Sequence, residues 1–282
     1  MSATPGWLAV TRLTLHEAAR RRILVAALIA GAAFLVLYGV GLHLILREEG
    51  SSHSSMTLIE RRVFLNIMTL AGLYAANLLT IMTAVLLPVD TLSGEIGSGV
   101  IQTLAVRPIR RSEIVIGKWL GHWIVMAAYL FLLAGGVLGI MAALAHFTPP
   151  GIARGIPLVL LEATVLLTLS IAGGTKLSTV TNGMLAFGLF GIAFIGNWVE
   201  QIGTFAGNQA AQQVGTVASL IMPSESLWQL AASHMQPSIL RELGGSPFSP
   251  VSVPSTAMIY WAAGYIVVVL AIGVRSFNRR TL

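Results

Sequence analysis

Residues 89–121 read VDTLSGEIGSGVIQTLAVRPIRRSEIVIGKWLG and carry an Asp, two Glu, three Arg and a Lys. The long runs on both sides contain almost no charge. The chain has 282 residues, of which 55% are hydrophobic and only 10% are charged. Soluble domains have roughly 25% charged residues, and so apolar a chain has too few polar side chains to cover a soluble surface. The composition therefore predicts an integral membrane protein whose charged stretch begins as a loop outside the lipid.

Six segments have the length and apolar character of transmembrane helices, which need about 20 mostly apolar residues. The sequence therefore predicts an all-α protein with a single transmembrane domain over residues 1–282. The predicted spans are 23–46, 63–89, 114–145, 156–175, 183–203 and 256–275. The third is too long for one crossing, so we expect its start to lie along the membrane interface before the chain turns into the lipid.

The distribution of Lys and Arg predicts the orientation, because cytoplasmic loops are enriched in these residues. Six spans place both termini on one side, and that side collects most of the basic residues. They are Arg12, Arg20, Arg21, Arg22, Arg107, Arg110, Arg111, Lys118, Lys176, Arg275, Arg279 and Arg280. We expect a protein of the plasma (inner) membrane with cytoplasmic termini and a cytoplasmic loop 90–113. Residues 204–255 are expected to be extracytoplasmic, with short helices that cover the outer mouth, one of them capped by Ser224.

Residues 4–22 are predicted to form an amphipathic helix that lies on the membrane before the first span. Thr4 can cap this helix, and Pro5 suits its first helical position. At a period of 3.6 residues one face is largely apolar and the opposite face is basic, as in interfacial helices. The apolar face has Trp7, Val10, Thr11, Thr14, Leu15 and Ala18, and the basic face has Arg12, His16 and Arg20.

The loop after the second span is predicted to contain a short helix that begins at Ser93. Ser93 can cap it, and Glu95 then lies in the first turn, where the helix dipole favours an acidic side chain. Gly97 and Gly99 weaken an isolated helix, so this helix needs a surface to lie against. Pro108 ends it, and a new helix after Ser112 leads into the third span.

This loop resembles the first cytoplasmic loop of the permease subunits of type-2 ABC transporters. The residues that match in order and spacing are Asp90, Glu95, Gly99, Leu104, Pro108, Arg111, Gly117 and Lys118. The helix before the first span and the ending VRSFNRRTL are also similar to this family, although Val100 stands where Thr is usual. The resemblance implies a fold like that of type V ABC exporters, in which the loop is a coupling helix.

The resemblance further implies that the loop docks into a groove on a separate ABC ATPase subunit. The implied coupling residues are Asp90, Glu95, Gly99, Val100, Leu104, Arg107, Pro108, Arg110, Arg111 and Lys118. It also implies export through a path formed by two copies of the chain, or by the chain and a paralogue. The alternative for the loop is a turn whose arginines only enforce the membrane topology.

The chain has no P-loop of its own. A P-loop needs Gly-x4-Gly-Lys-Ser/Thr so that backbone amides bind phosphate. Gly117-Lys118 is the one Gly-Lys pair, but Trp119 follows it and Ser112 stands where the first Gly is required. We therefore expect no enzyme activity and no cofactor in this chain, with ATP and Mg²⁺ bound by the partner ATPase.

Polar residues inside the spans are candidates for the substrate path. Glu162 is the one acid well inside an apolar run, where a charge must be paired, protonated or facing water. We assign Glu162, Asn77 and Asn182 to a substrate path, with hydrogen bonds between helices as the alternative. His122, Asn66 and Asn197 are expected to form such interhelical bonds. Gly135 and Gly139 have GxxxG spacing for close helix packing, either within the chain or across a dimer.

Other classes of function have weaker support from the sequence. His and Met suit copper, and several fall on the outer side, but they have no repeated ligand spacing and we predict no metal site. These residues are His53, Met56, His146, Met222, His234 and Met235. Nucleic-acid binding is not expected, because the basic residues form no stripe. A six-span scaffold or signalling protein without transport is the alternative function, and a secondary transporter would need midplane charges and inverted repeats.

Overall fold

The computed structural model describes residues 5–51, 57–97, 110–237 and 252–279, which form helices and turns with no strand among them. The helices in this part of the chain are α1 Gly6–Arg20, α2 Arg22–Ser51, α3 Leu58–Leu86, α4 Thr91–Gly97, α5 Arg111–Ala145, α6 Ile152–Gly173, α7 Thr179–Phe205, α8 Gln209–Ile221, α9 Ser224–His234 and α10 Ala257–Asn278. Six of them, α2, α3, α5, α6, α7 and α10, are long and apolar enough to cross a membrane. The predicted all-α membrane fold is therefore confirmed.

Each predicted span lies on one of these six helices, but the third span differs from expectation. α5 is continuous over 35 residues, or about 52 Å at 1.5 Å per residue, against roughly 30 Å of hydrocarbon. The expected turn after an interfacial start is therefore wrong. α5 contains no Pro, and its early glycines Gly117 and Gly121 are packed against α1, so nothing interrupts its backbone hydrogen bonds.

The centre of the bundle is formed by α3, α5 and α6. Leu70, Leu133 and Leu166, one from each of these helices, are fully buried in one large apolar cluster. α6 is buried along most of its length, whereas α2 and α10 expose most of their surface. These two outer helices therefore offer apolar faces to lipid or to another subunit.

α1 packs along the first half of α5. It begins at Gly6, so Pro5 is the residue before the helix and not its first helical residue, while Thr4 lies outside the described residues. Four residues of the predicted apolar face are buried: Val10, Thr11, Thr14 and Ala18. The buried part of this face packs against α5, whereas Trp7 remains 39% exposed. The predicted basic face, with Arg12, His16 and Arg20, is exposed.

Two short helices, α8 and α9, follow α7 at the opposite end of the bundle. α8 runs close along α7, since a methyl group on Gly196 would overlap Ala218. α9 is almost entirely buried and packs against α6. The short helices predicted for this segment are present, but the prediction that Ser224 caps α9 is wrong. Pro223 precedes the helix, and Ser224 is its first residue, with a buried hydroxyl that makes no hydrogen bond to any described residue.

Candidate functional site

The candidate coupling loop leaves the bundle at what we call the arginine-rich end, which carries α1, α4, the start of α5 and the end of α10. α4 follows α3 after a turn over residues 87–90. Glu95 lies in α4. Five predicted coupling residues lie outside the described residues: Gly99, Val100, Leu104, Arg107 and Pro108. The described residues on either side of them show how the two ends of the loop are held.

The first turn of α4 is joined to the start of α7. Thr179 Oγ1 donates a hydrogen bond of 2.7 Å to Asp90 Oδ1, and Ser93 Oγ lies 2.9 Å from Thr179 Oγ1. Ser93 Oγ also lies 3.0 Å from Val89 O, to which it can donate its one proton. The prediction that Ser93 caps this helix is wrong, because α4 begins at Thr91 and the Ser93 hydroxyl bonds back to the turn before it.

Asn182 ties together the ends of three helices beside this contact. Its side-chain amide donates to Ser170 O at 2.8 Å and to Val89 O at 3.4 Å. The side chain is fully buried. We expected Asn182 on a path with Glu162, but Ser170 lies eight residues further along α6, or about 12 Å. The structure therefore places Asn182 at the arginine-rich end, where it bonds between helices.

A cluster of charged residues joins α1 to the α3–α4 turn. Glu17 Oε1 and Arg21 Nη2 are 2.6 Å apart, and Arg21 Nη1 donates to Leu87 O at 3.4 Å. Lys118 on α5 is only 3% exposed. Burial disfavours the charged form of Glu17, but the hydrogen bond from Arg21 and the positive charges of Lys118 and Arg21 together hold its pKa below the usual value. Glu17 is thus ionised among buried or half-buried cations.

His122 connects α5 to the first residue of α4. Its Nε2 lies 3.2 Å from Thr91 Oγ1, and its Nδ1 lies 2.8 Å from Lys118 O. Both side chains of the His122–Thr91 pair are buried. The loop therefore begins from a turn that α1, α5 and α7 each contact through polar groups.

Two glycines of α5 form a tight seam with α1. A methyl group on Gly117 would lie 2.6 Å from Val10 Cβ and 2.7 Å from Trp7 O, and one on Gly121 would lie 2.7 Å from Thr14 Cβ. Thr11 Oγ1 also lies within 3.2 Å of Gly117 O. By contrast, Gly135 and Gly139, which we named for GxxxG packing, have open space around them. The contact of α5 with α1 uses Gly117 and Gly121 instead.

The second end of the loop joins α5 to the end of α10. Glu113 Oε2 accepts a hydrogen bond of 3.0 Å from the backbone of Arg110. Arg111 Nη1 donates to Asn278 O at 3.4 Å. Arg110 is exposed, so its guanidinium is available to a partner protein.

A second polar cluster lies inside the bundle towards the opposite end. Asn77 Nδ2 donates to Glu162 Oε2 at 3.0 Å, and both side chains are buried. Asn197 Nδ2 donates to Glu225 Oε1 of α9 at 3.1 Å. Burial raises the pKa of Glu225 to about 7, against the hydrogen bond from Asn197, which lowers it. Sequence reasoning missed Glu225, because nothing in the SESLWQL segment shows that it lies inside the bundle.

The outer His and Met residues do not come together as a metal site in the described structure. Met222 and Met235 are fully buried among apolar residues, while His53 and Met56 lie outside the described residues. Among residues 5–51, 57–97, 110–237 and 252–279 no group of three His, Cys, Asp or Glu side chains could hold a metal ion.

The fold and this site define a polytopic membrane protein, a six-helix bundle in which the described residues on both sides of a charged loop are hydrogen-bonded to neighbouring helices. Comparison with protein-family models identifies the family: residues 17–282 match the ABC-2 family transporter protein. The chain therefore belongs to this family of membrane-spanning permeases of ABC transporters. A comparison with curated proteins found no match.

Proposed function

We propose that this chain is the membrane-spanning subunit of an ABC exporter and works as a dimer with two separate ATPase subunits, which bind ATP and Mg²⁺. Membership of the ABC-2 family carries this proposal, because such a permease implies an ABC ATPase partner. It also favours transport over a scaffold role. We place both termini and the arginine-rich end in the cytoplasm of a cell bounded by the plasma (inner) membrane.

The coupling step in this proposal begins at α4 and the segment that follows it. When ATP closes the ATPase dimer, the docked loop moves with it and displaces the α3–α4 turn. Three contacts pass that displacement on, since Asp90 bonds to Thr179 of α7, Thr91 to His122 of α5, and Leu87 to Arg21 at the end of α1. The loop thereby acts on three helices and not only on α3.

The proposed coupling residues divide into two groups by exposure. Arg110 is exposed and contacts the ATPase directly in this proposal. Lys118 is buried beside Glu17, so it contributes by holding α1 against α5. Asp90 and Arg111 contact α7 and α10 respectively, and they keep the two ends of the loop in place.

The substrate path is proposed to include Glu162 and Asn77. Their hydrogen bond lies inside one subunit, so substrate reaches them only when α9 moves away from α6. The buried position of α9 at the opposite end supports a role as the exit gate of an exporter. Asn182 is proposed to hold helix ends together and to stay out of the path.

The experiment is a pull-down of the tagged chain from detergent with its ABC ATPase co-expressed. We expect the ATPase to co-purify at one to one and the double variant Glu95→Ala, Arg110→Ala to lose most of it. The matched control Glu60→Gln, Arg62→Ala changes an acidic and a basic residue at the opposite end and should retain the ATPase. Equal retention by both double variants, or no ATPase with the unchanged chain, would refute the proposal.

A further inference from the structure

A basic cavity lies between the ends of α6 and α10 at the arginine-rich end. Its volume is about 500 Å³. It is lined by Thr175, Lys176, Ile272, Arg275, Ser276 and Arg279. None of these residues belongs to the coupling region or to the buried polar cluster described above.

The cavity exists because two closely packed helices differ in where they end. A methyl group on Gly273 of α10 would lie 3.0 Å from Ala172, so the two helices nearly touch there. Phe277 is fully buried beside Ile171 and fixes the end of α10. α6 ends at Gly173, whereas α10 continues to Asn278. The space beyond Gly173 is therefore open on one side of α10.

The cavity concentrates positive charge at the ends of α6 and α10. Lys176, Arg275 and Arg279 contribute three cations. No acidic side chain of the described residues lies within ion-pair distance of any of them, whereas Arg21 has Glu17 at 2.6 Å. On α10, Arg279 lies four residues after Arg275 and three after Ser276, so it neighbours both on the helix surface, and all three line the cavity. Ser276 Oγ is buried and makes no hydrogen bond to any described residue. This arrangement suits an anion with several acceptor oxygens.

The neighbouring surface of α10 indicates that this anion is attached to a lipid. Ile272 lines the cavity and is 58% exposed, and Val268 one turn earlier is also 58% exposed. The apolar face of α10 therefore leads directly into the basic cavity. A soluble phosphate compound has no apolar chain to contact that face, whereas the acyl chains of a phospholipid would pack along it.

We propose that this cavity binds the phosphate of an anionic phospholipid, with its acyl chains along α10. The site holds a lipid from the leaflet at the arginine-rich end and fixes the end of α10 against α6. The existence of this site depends neither on transport nor on the ATPase partner. The lipid proposal can therefore be tested independently of the proposed function.

The test is native mass spectrometry of the purified full chain, titrated with phosphatidylglycerol, phosphatidylcholine or inorganic phosphate. Each cation near a membrane surface strengthens binding of an anionic lipid roughly fivefold. The triple variant Lys176→Gln, Arg275→Gln, Arg279→Gln should therefore bind phosphatidylglycerol about a hundredfold more weakly, with phosphatidylcholine binding unchanged. The control Arg12→Gln, Arg20→Gln, Arg22→Gln removes three exposed charges outside the cavity and should keep most of the binding.

Three results would overturn the proposal: equal weakening in the two triple variants, no preference for phosphatidylglycerol over phosphatidylcholine, or inorganic phosphate that displaces phosphatidylglycerol at similar concentration. The charge-conserving variant Lys176→Arg, Arg275→Lys, Arg279→Lys should retain binding. If the triple cavity variant fails to fold, Arg275→Gln alone serves as the test. It should weaken phosphatidylglycerol binding roughly fivefold, and unchanged binding would contradict the site.

Discussion

The seam between α1 and α5 gives the sharpest prediction, because one methyl group tests it. Gly117→Ala would place a carbon 2.6 Å from Val10 Cβ and 2.7 Å from Trp7 O. Both are fixed to the backbone of α1, so no side-chain rotation can relieve the overlap. Carbon atoms pack at about 3.5–4.0 Å, so α1 must move by about 1 Å.

The expected cost follows from three effects of known size. Overpacking in a close-packed interior costs about 1–3 kcal/mol. Loss of the 3.2 Å contact from Thr11 Oγ1 to Gly117 O adds little, because the same hydroxyl donates to Trp7 O at 2.9 Å. Ala in place of Gly returns about 1 kcal/mol of helix propensity. Gly117→Ala should therefore lower stability by about 1 kcal/mol. Gly135→Ala in the same helix meets open space and should be neutral or stabilising.

The assay uses the absence of cysteine from the chain. Thr14→Cys places a single thiol at a position that is 1% exposed under the seam. We expect Gly117→Ala to lower the melting temperature in detergent and to speed maleimide labelling of this thiol. Gly135→Ala should neither speed the labelling nor lower the melting temperature. If Gly117→Ala leaves the thiol as protected as Gly135→Ala does, and melts no earlier, the reasoning about the seam is refuted.

Three further changes test other parts of the structure. Relative to Glu225→Gln, the wild type should lose up to about 3 kcal/mol of stability as pH rises from about 4.5 towards 7. The reason is that burial raises the pKa of Glu225 to about 7, so the native carboxyl keeps its proton longer than the unfolded one; melts of both proteins at pH 5 and 8 measure the difference. Asn77→Leu should cost about 1–2 kcal/mol by leaving Glu162 Oε2 without a donor, and adding Glu162→Leu should recover most of it in a double-mutant cycle. Thr179→Val should keep ATPase binding but lower permease-stimulated ATP hydrolysis about fivefold, as for one lost hydrogen bond.

Each of these predictions has a result that contradicts it. A pH dependence that is the same in the wild type and in Glu225→Gln would show that another group titrates. Additive losses from Asn77→Leu and Glu162→Leu would mean that the two side chains do not depend on each other. Unchanged ATP hydrolysis with Thr179→Val would show that α7 receives no signal through Asp90.

The spans were predictable from the sequence because a membrane helix needs only length and apolar composition. The surface against which the apolar face of α1 packs was not predictable, because the same amphipathic pattern suits contact with lipid and contact with protein. Gly117 and Gly121 carry the same four-residue spacing as Gly135 and Gly139. Spacing alone cannot say which pair is covered, because that depends on where α1 folds back.

The polar contacts of the site were only partly predictable. Glu162 and Asn77 were named because a polar residue in an apolar run needs a partner, and the structure pairs them. Thr179 gave no signal, since a threonine at the end of a span is ordinary. Glu225 was missed because α9 was predicted only as a short helix covering the outer mouth, and its burial depends on contacts with α6 and α7.

The most direct test of the central claim is a cross-link from the loop to the ATPase. Val100→Cys, in the otherwise cysteine-free chain, would be labelled with benzophenone maleimide and irradiated in the co-purified complex. We predict a covalent adduct with the ATPase, and none from the control Val36→Cys on the apolar face of α2, where Val36 is 66% exposed. No adduct from Val100→Cys, or equal adducts from both positions, would contradict the assignment of this loop as the coupling element.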